Sequence, residues 1–334
     1  MSPMPLRYEA YEATIDRPNV VVDGSPNAGT VVTLTHWPGF ASPPDTAADL
    51  SAQIAFRYLD RGADLHGDAE LVTNNHFDQD GLVAVHALCA PDHALAHREL
   101  LEDLAAAGDF GTYRFREAAR LSMVVHAFAD PGRSPVAPLA EDPDADLYRE
   151  LLGRLPELVA NPDQVKDLWE DEDRALAESE AALASGLVQI TEQPEVDLAL
   201  VDFADPERHW AGHRFSHRAF EDIHPMAVNN ATDRFALLVV RGRRYRFTYR
   251  YETWVQYRSR RPKARVDLAP LAEELTAAEP GSARWSADPP GELAPALGLV
   301  DGEESGLDRA DVLERLIRHL ATAPVAWDPY ATEA

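Results

Sequence analysis

Asn74-Asn75-His76-Phe77-Asp78-Gln79-Asp80-Gly81 carries the most structural information of any stretch in this chain. In front of it stands Glu70-Leu71-Val72-Thr73, short and apolar, the pattern of a buried strand. Behind it Leu82 to Cys89 reads as the start of a buried helix. A polar turn from strand to helix is where an open α/β sheet places ligands, outside the carboxyl ends of its strands. His76, Asp78 and Asp80 alternate, so in extended chain all three side chains project from one side. One imidazole and two carboxylates converging on a point make a ligand set for a divalent cation. Gly81 lets the backbone turn sharply into the helix. The plainer alternative is a polar turn with Asp as a helix N-cap, although a cap needs one Asp rather than this alternation.

Two strands nearer the N-terminus end in the same kinds of residue. Asn19-Val20-Val21-Val22 leads to Asp23, and Thr30-Val31-Val32-Thr33-Leu34-Thr35 leads to His36-Trp37-Pro38-Gly39. Ala47, Leu50, Ile54 and Tyr58 recur at helical spacing, which predicts a helix over 46–59 between the second strand and the central one. Helices are predicted over 92–107, before Gly108-Asp109, and near 114–128, before Asp130-Pro131-Gly132. Strands alternating with helices predict an α/β, doubly wound and mostly parallel sheet, with the polar residues along one edge.

At 334 residues with 45% apolar composition, the chain is long enough for two domains with separate cores. The predicted division is a metal-binding domain over 1–132, an acidic helical linker over 133–185 and a smaller α/β domain over 186–334. Segment 141–180 holds 14 acidic and 4 basic residues, with Leu168, Trp169, Leu176 and Leu183 supplying a buried side. In the last part, strands are predicted at 187–191, 197–203, 235–241 and 244–258, and a final helix at 308–321. Along 244–258 aromatic residues alternate with arginines, giving an aromatic core side and a side that is either solvated or anion-binding.

No apolar run reaches the length of a membrane span, and Met1-Ser2-Pro3-Met4-Pro5 lacks a signal-peptide pattern, so the expected setting is cytoplasmic, away from membranes. The single cysteine, Cys89, excludes an intrachain disulfide and is expected to be a buried, inert thiol. A net charge of −26 argues against long nucleic acid, whose binding depends on neutralising phosphates.

With these elements in place, the chain resembles the DHH phosphoesterase family in rearranged order. His76-Phe77-Asp78-Gln79-Asp80-Gly81 is similar to the family's first motif and Val21-Val22-Asp23 to its second. Thr35-His36-Trp37 stands where the family has Asp-His-His, followed by Asp49-Leu50-Ser51-Ala52-Gln53-Ile54, similar to the helix start that comes next. Asp109 matches a further metal-binding Asp after a small-residue run. A circular permutation accounts for the order. In the second half Tyr257-Arg258-Ser259-Arg260 and Val266-Asp267-Leu268 resemble the family's smaller associated domain. Its glycine-rich loop is replaced by Glu279-Pro280-Gly281-Ser282-Ala283-Arg284-Trp285.

The resemblance implies two Mn²⁺ or similar ions held by His76, Asp78, Asp80, Asp23, His36 and Asp109. Asp80 and His36 would have catalytic roles, and Arg258 or Arg284 would hold a substrate phosphate. The implied activity is hydrolysis of short phosphodiesters or small phosphoesters, by a chain for which a homodimer is allowed. Thr35 and Trp37 depart from the family pattern and favour a non-catalytic binding protein that kept the fold. A third reading takes His209, His213 and His217, at four-residue spacing, as a Zn²⁺ group with His224 beyond.

Overall fold

The computed structural model describes residues 5–62, 66–136, 142–210, 212–214, 223–300 and 304–331. The chain is α/β and divides into two compact units. One comprises 1–173 with 256–260, and the smaller comprises 174–255 with 261–334.

The first unit is built on a wholly parallel sheet. Its strands are β1 (Arg7–Tyr8), β2 (Asn19–Val22), β3 (Thr30–Leu34) and, after helix α1 (Ser51–Asp60), β4 (Leu71–Thr73), in the order β1-β4-β2-β3. Val20, Val21 and Val22 are wholly buried, as β-branched residues in a strand covered on both faces should be. The edge strand β3 leaves Val31 exposed. Because the strands are parallel, Asp23, His36 and His76 all come after carboxyl ends and emerge along one edge.

After β4 come α2 (Gln79–Cys89), α3 (Pro91–Ala96), α4 (Arg98–Asp109), α5 (Arg116–Ala129) and α6 (Pro143–Ala160). Helix α1 packs on β2 and β3, α2 on β1, β2 and β4, and α4 and α5 stack outward from α2. The predicted helix at 46–59 begins only at Ser51. The predicted 92–107 helix is two, broken at His97, where φ and ψ leave the helical region.

Of the stretch expected to be an acidic helical linker, the part up to Asp173 belongs to the first unit. Helix α6 packs against α5 and α2 and buries Leu147, Tyr148, Leu151, Leu155 and Leu158, so its apolar stripe joins the first core. The boundary instead falls within α7 (Glu170–Ser185).

The second unit holds β5 (Val188–Gln193), β6 (Leu198–Phe203), α8 (Pro225–Ala231), β7 (Ala236–Arg241) and β8 (Arg244–Tyr249). Then come β9 (Arg265–Val266), α9 (Ala269–Ala278), β10 (Trp285–Ala287), β11 (Ala296–Leu299), α10 (Arg309–Thr322) and β12 (Val325–Trp327). A six-stranded sheet runs β10-β11-β8-β7-β6-β5, with only the β6–β7 pair parallel. Alternate residues serve opposite faces. Leu198, Leu200, Leu238 and Phe247 pack with Leu271 of α9 and Leu316 of α10. Ala199, Val201 and Leu237 pack with Ala182 of α7 and Val228 of α8.

The strand predicted to run from 244 to 258 stops at Tyr249. Arg250 and Glu252 are both buried and ion-paired to each other, and 251–253 form a single 3₁₀ turn that ends the ladder.

Candidate metal centre

Asp23 is the hub of the site. It stands just after β2 in the left-handed region, at φ 47°, where aspartate is better tolerated than most residues. Ser51 at the start of α1 donates its hydroxyl to Asp23 Oδ1 at 2.7 Å, and the same Ser51 Oγ accepts the His36 backbone N–H at 3.2 Å. Asp23 Oδ1 lies 3.4 Å from His36 Nε2, while its Oδ2 lies 3.4 Å from His76 Nε2. No hydrogen bond reaches Asp23 Oδ2 among the described residues, although the atom is buried.

His36 is aimed by its other nitrogen. Nδ1 sits 2.6 Å from the backbone carbonyl of Asp49. A carbonyl only accepts, so Nδ1 carries the proton and, in the neutral ring, Nε2 presents its lone pair. That lone pair faces three carboxylates: Asp23 at 3.4 Å, Asp109 at 3.6 Å and Asp80 at 3.8 Å. An N–H anchored to a carbonyl on one side and a lone pair on the other is the usual arrangement of a metal-ligating imidazole. The Thr35 hydroxyl accepts the Trp37 N–H at 3.2 Å.

Asp80 does double duty. It is wholly buried, and its two oxygens accept the backbone N–H groups of Ser51 and Ala52, each at 2.8 Å. A carboxylate against the first N–H groups of a helix stabilises that end through hydrogen bonds and dipole, which is why α1 starts at Ser51 rather than five residues earlier. Asp109 closes the group from the last turn of α4. That turn lies close against α2, since a Cβ at Gly108 would collide with the Gln79 side chain.

His76 and Asp78 form the more open half, each side chain about one-third exposed. His76 Nε2 is 3.0 Å from Asp78 Oδ2, and Asp78 Oδ1 accepts the Gly81 N–H at 2.8 Å as the N-cap of α2. The cap reading and the ligand reading thus apply to the same residue. The alternation expected to bring His76, Asp78 and Asp80 together in extended chain does not operate. Asp80 already lies in the first turn of α2, and the turn itself makes the convergence.

The loop's shape is held from α6. Tyr148 Oη donates to the His76 carbonyl at 3.0 Å and accepts from Asn74 Nδ2 at 2.9 Å. Neither Tyr148, nor Ser51, nor the Asp49 carbonyl was singled out as a site residue from sequence. Only the Asp49–Ser51 segment carried a signal, as a helix start.

The electrostatics are those of a crowded anion cluster. Burial and then Asp78, Asp80 and Asp109 push the Asp23 pKa well above the usual carboxylate range. Burial also raises Asp80, although His36 opposes it. Burial would raise Asp78, but the charge of His76 and hydrogen bonds from His76 and Gly81 bring it below the usual value. Burial works against a charged His76, yet Asp78 outweighs it and the imidazole is raised. Asp23, His36 and Asp80 can present one ligand atom each around a single point, as can Asp23, His76 and Asp78. Asp23 belongs to both sets. Buried carboxylates in this number, facing the lone pair of His36 in its neutral form, fit a divalent cation. Oxygen and imidazole donors without thiolate suit Mn²⁺, Mg²⁺ or Fe.

The remaining expected residues lie elsewhere or partly so. Arg258 belongs to the first unit, exposed, with its backbone N–H 2.5 Å from Asp49 Oδ1. Arg284 lies beside β10 in the second unit and is not part of this cluster. His209 is exposed, His213 packs against His224 with ring centroids 5.4 Å apart, and His217 lies outside the described residues. No metal-binding group was found there among the described residues.

The chain belongs to DUF6687, a family of unknown function, whose model it matches over residues 4–331. No curated protein and no solved structure matches it.

Proposed function

We propose that this member of DUF6687 is a metal-dependent phosphoesterase of the DHH kind, hydrolysing short phosphodiesters or small phosphoesters. The observation that carries the reading is the Asp23 carboxylate. Each of its oxygens stands 3.4 Å from a different imidazole, one in each ligand set, as a carboxylate shared by two cations would. Divalent cations bound there would supply Lewis-acid charge at neutral pH. The chain's residues do the rest. Asp23, His36, Asp80 and Asp109 provide the buried half of the cradle, and His76 and Asp78 the half open to substrate. The Asp49 carbonyl keeps the His36 proton on Nδ1, so Nε2 stays available. Arg258 is suited to a phosphate oxygen because a guanidinium's planar fork can offer two N–H donors at once.

A second reading, a binding protein without turnover, is favoured by Trp37. Its ring lies against His76, centroids 5.2 Å apart, where the DHH pattern has a second histidine.

The test uses Asp23→Asn, alone and with Asp80→Asn. Asparagine also tolerates the left-handed backbone, so the single variant should fold. Calorimetric titration with Mn²⁺ should show binding to the wild-type chain and loss in the double variant, together with loss of hydrolysis of an aryl phosphodiester. Unchanged metal content in the double variant would locate the site elsewhere. Bound Mn²⁺ without hydrolysis would favour the binding-protein reading.

A further inference from the structure

Asp49 touches the site twice, by two different groups. Its carbonyl accepts the His36 Nδ1–H at 2.6 Å, and its carboxylate holds a segment more than 200 residues away in sequence. Oδ1 accepts the backbone N–H groups of Arg258 at 2.5 Å and Ser259 at 2.8 Å, and Oδ2 accepts the Ser259 hydroxyl. The segment is tied back from its other end, where the Gln256 N–H donates to the His36 carbonyl at 2.9 Å. A closed ring of hydrogen bonds therefore runs from the His36 ring through Asp49 to 256–259 and back to the His36 backbone. Tyr257 adds an edge contact to Phe110, centroids 5.3 Å apart, next in chain to Asp109. Arg258 itself is exposed, and its Nη2 donates to Gln256 Oε1 at 2.9 Å, which ties the guanidinium to the residue whose backbone N–H meets the His36 carbonyl.

We propose that Asp49 is a positioning residue that fastens Arg258 beside the cation ligands so that its guanidinium meets a phosphate oxyanion. The proposal rests on the metal-site reading above. The carboxylate of Asp49 is no ligand itself. Two successive backbone N–H groups and a hydroxyl converge on it, which makes it an anchor for a turn. Losing that anchor frees the segment while the Asp49 carbonyl, present in any residue, still orients His36. Metal binding and phosphate binding should therefore separate in variants of this one side chain.

Mn²⁺ alone, then phenyl phosphate on the Mn²⁺-loaded chain, are titrated by calorimetry. Asp49→Ala should keep the wild-type Mn²⁺ stoichiometry and weaken phenyl phosphate about tenfold, a change of about 1.4 kcal/mol. Arg258→Ala should lose a similar amount, and the double variant no more than either, since both changes remove one interaction. Asp49→Asn, which keeps an acceptor for both N–H groups, should recover most of the affinity. Unchanged phosphate affinity in Asp49→Ala with Mn²⁺ bound, or additive losses in the double variant, overturns the proposal alone. Loss of Mn²⁺ in Asp49→Ala also overturns it, because the carboxylate would then serve the ligand set. A wild-type chain that binds no Mn²⁺ removes the site reading, and the proposal with it.

Discussion

Gly81 shows how tightly single residues are constrained around the ligand loop. A methyl group there would sit far inside contact distance of Asn74 Nδ2 and Tyr148 Oη, the pair that holds the His76 carbonyl. Neither neighbour can retreat cheaply, since Tyr148 is wholly buried between α6 and the loop and its ring packs on Tyr8 and Phe77. Gly81→Ala is expected to cost about 1–3 kcal/mol, the range for overpacking a filled interior. It should also weaken Mn²⁺ binding, because the displaced tyrosine carries His76 with it. Chemical denaturation and Mn²⁺ titration of the same preparation check both. A variant with wild-type stability and affinity would show that the loop can repack. Cys89, expected to be buried, is half-buried, and desolvation pushes its thiol pKa up to about 12.

At the scale of elements, the joint between α2, α3 and α4 is lined with histidines that have no part in the candidate site. His86 of α2 lies within hydrogen-bond distance of His93 of α3, at 2.9 Å, and His93 stacks on His97, centroids 4.4 Å apart. Burial, then His93 and His97, lower the His86 pKa from 6.5 to about 4. A base whose folded pKa is depressed contributes stability above its unfolded value and loses it as pH falls. Between pH 6.5 and about 4 the unfolded chain takes up a proton that the folded one refuses. The loss approaches about 3 kcal/mol at the lower end. Thermal unfolding of His86→Gln beside wild type should show a flatter acid limb in that window. Parallel loss in both chains would assign the acid sensitivity to another group. Packing also divides the arginines between Arg241 and Arg265 among different roles. Arg250 and Arg265 are buried, and Arg241 and Arg243 donate to backbone carbonyls. The stretch is thus no single cationic face, and Arg258 is the member tied to the candidate site.

For the whole molecule the decisive quantity is a net charge of −26. A polyanion longer than the site meets acidic surface with its remaining phosphates, whereas a short phosphoester presents only the charges that the site itself can balance. Mn²⁺-dependent cleavage is expected to be best for an aryl phosphodiester or a dinucleotide and poor for a long single strand. Added salt should narrow the difference by screening the repulsion. Rates that rise with substrate length at low salt would overturn this. Among the described residues no helix is long and apolar enough to cross a membrane.

From sequence alone, the chemistry of the cluster and the edge on which it lies could be read. Val20–Val22 and Leu71–Thr73 are almost wholly apolar, so they had to be interior strands, and parallel strands put their trailing residues on one side. Those residues, Asp23, His36, His76 and Asp78, carry side chains whose donor atoms identify themselves. The supports of those side chains were decided by tertiary structure. His36 is aimed by the Asp49 carbonyl, and Asp80 is held by the N–H groups of Ser51 and Ala52, while 256–259 is fixed by its own backbone. Backbone groups are the same at every non-proline position, so no pattern of residues marks the ones that will be used. The acidic segment at α6 shows the same limit. Its charges are plain in the sequence, but whether its apolar stripe covers solvent-side surface or the ligand loop depends on which helices it meets. Only packing against α2 and α5 brings Tyr148 to His76.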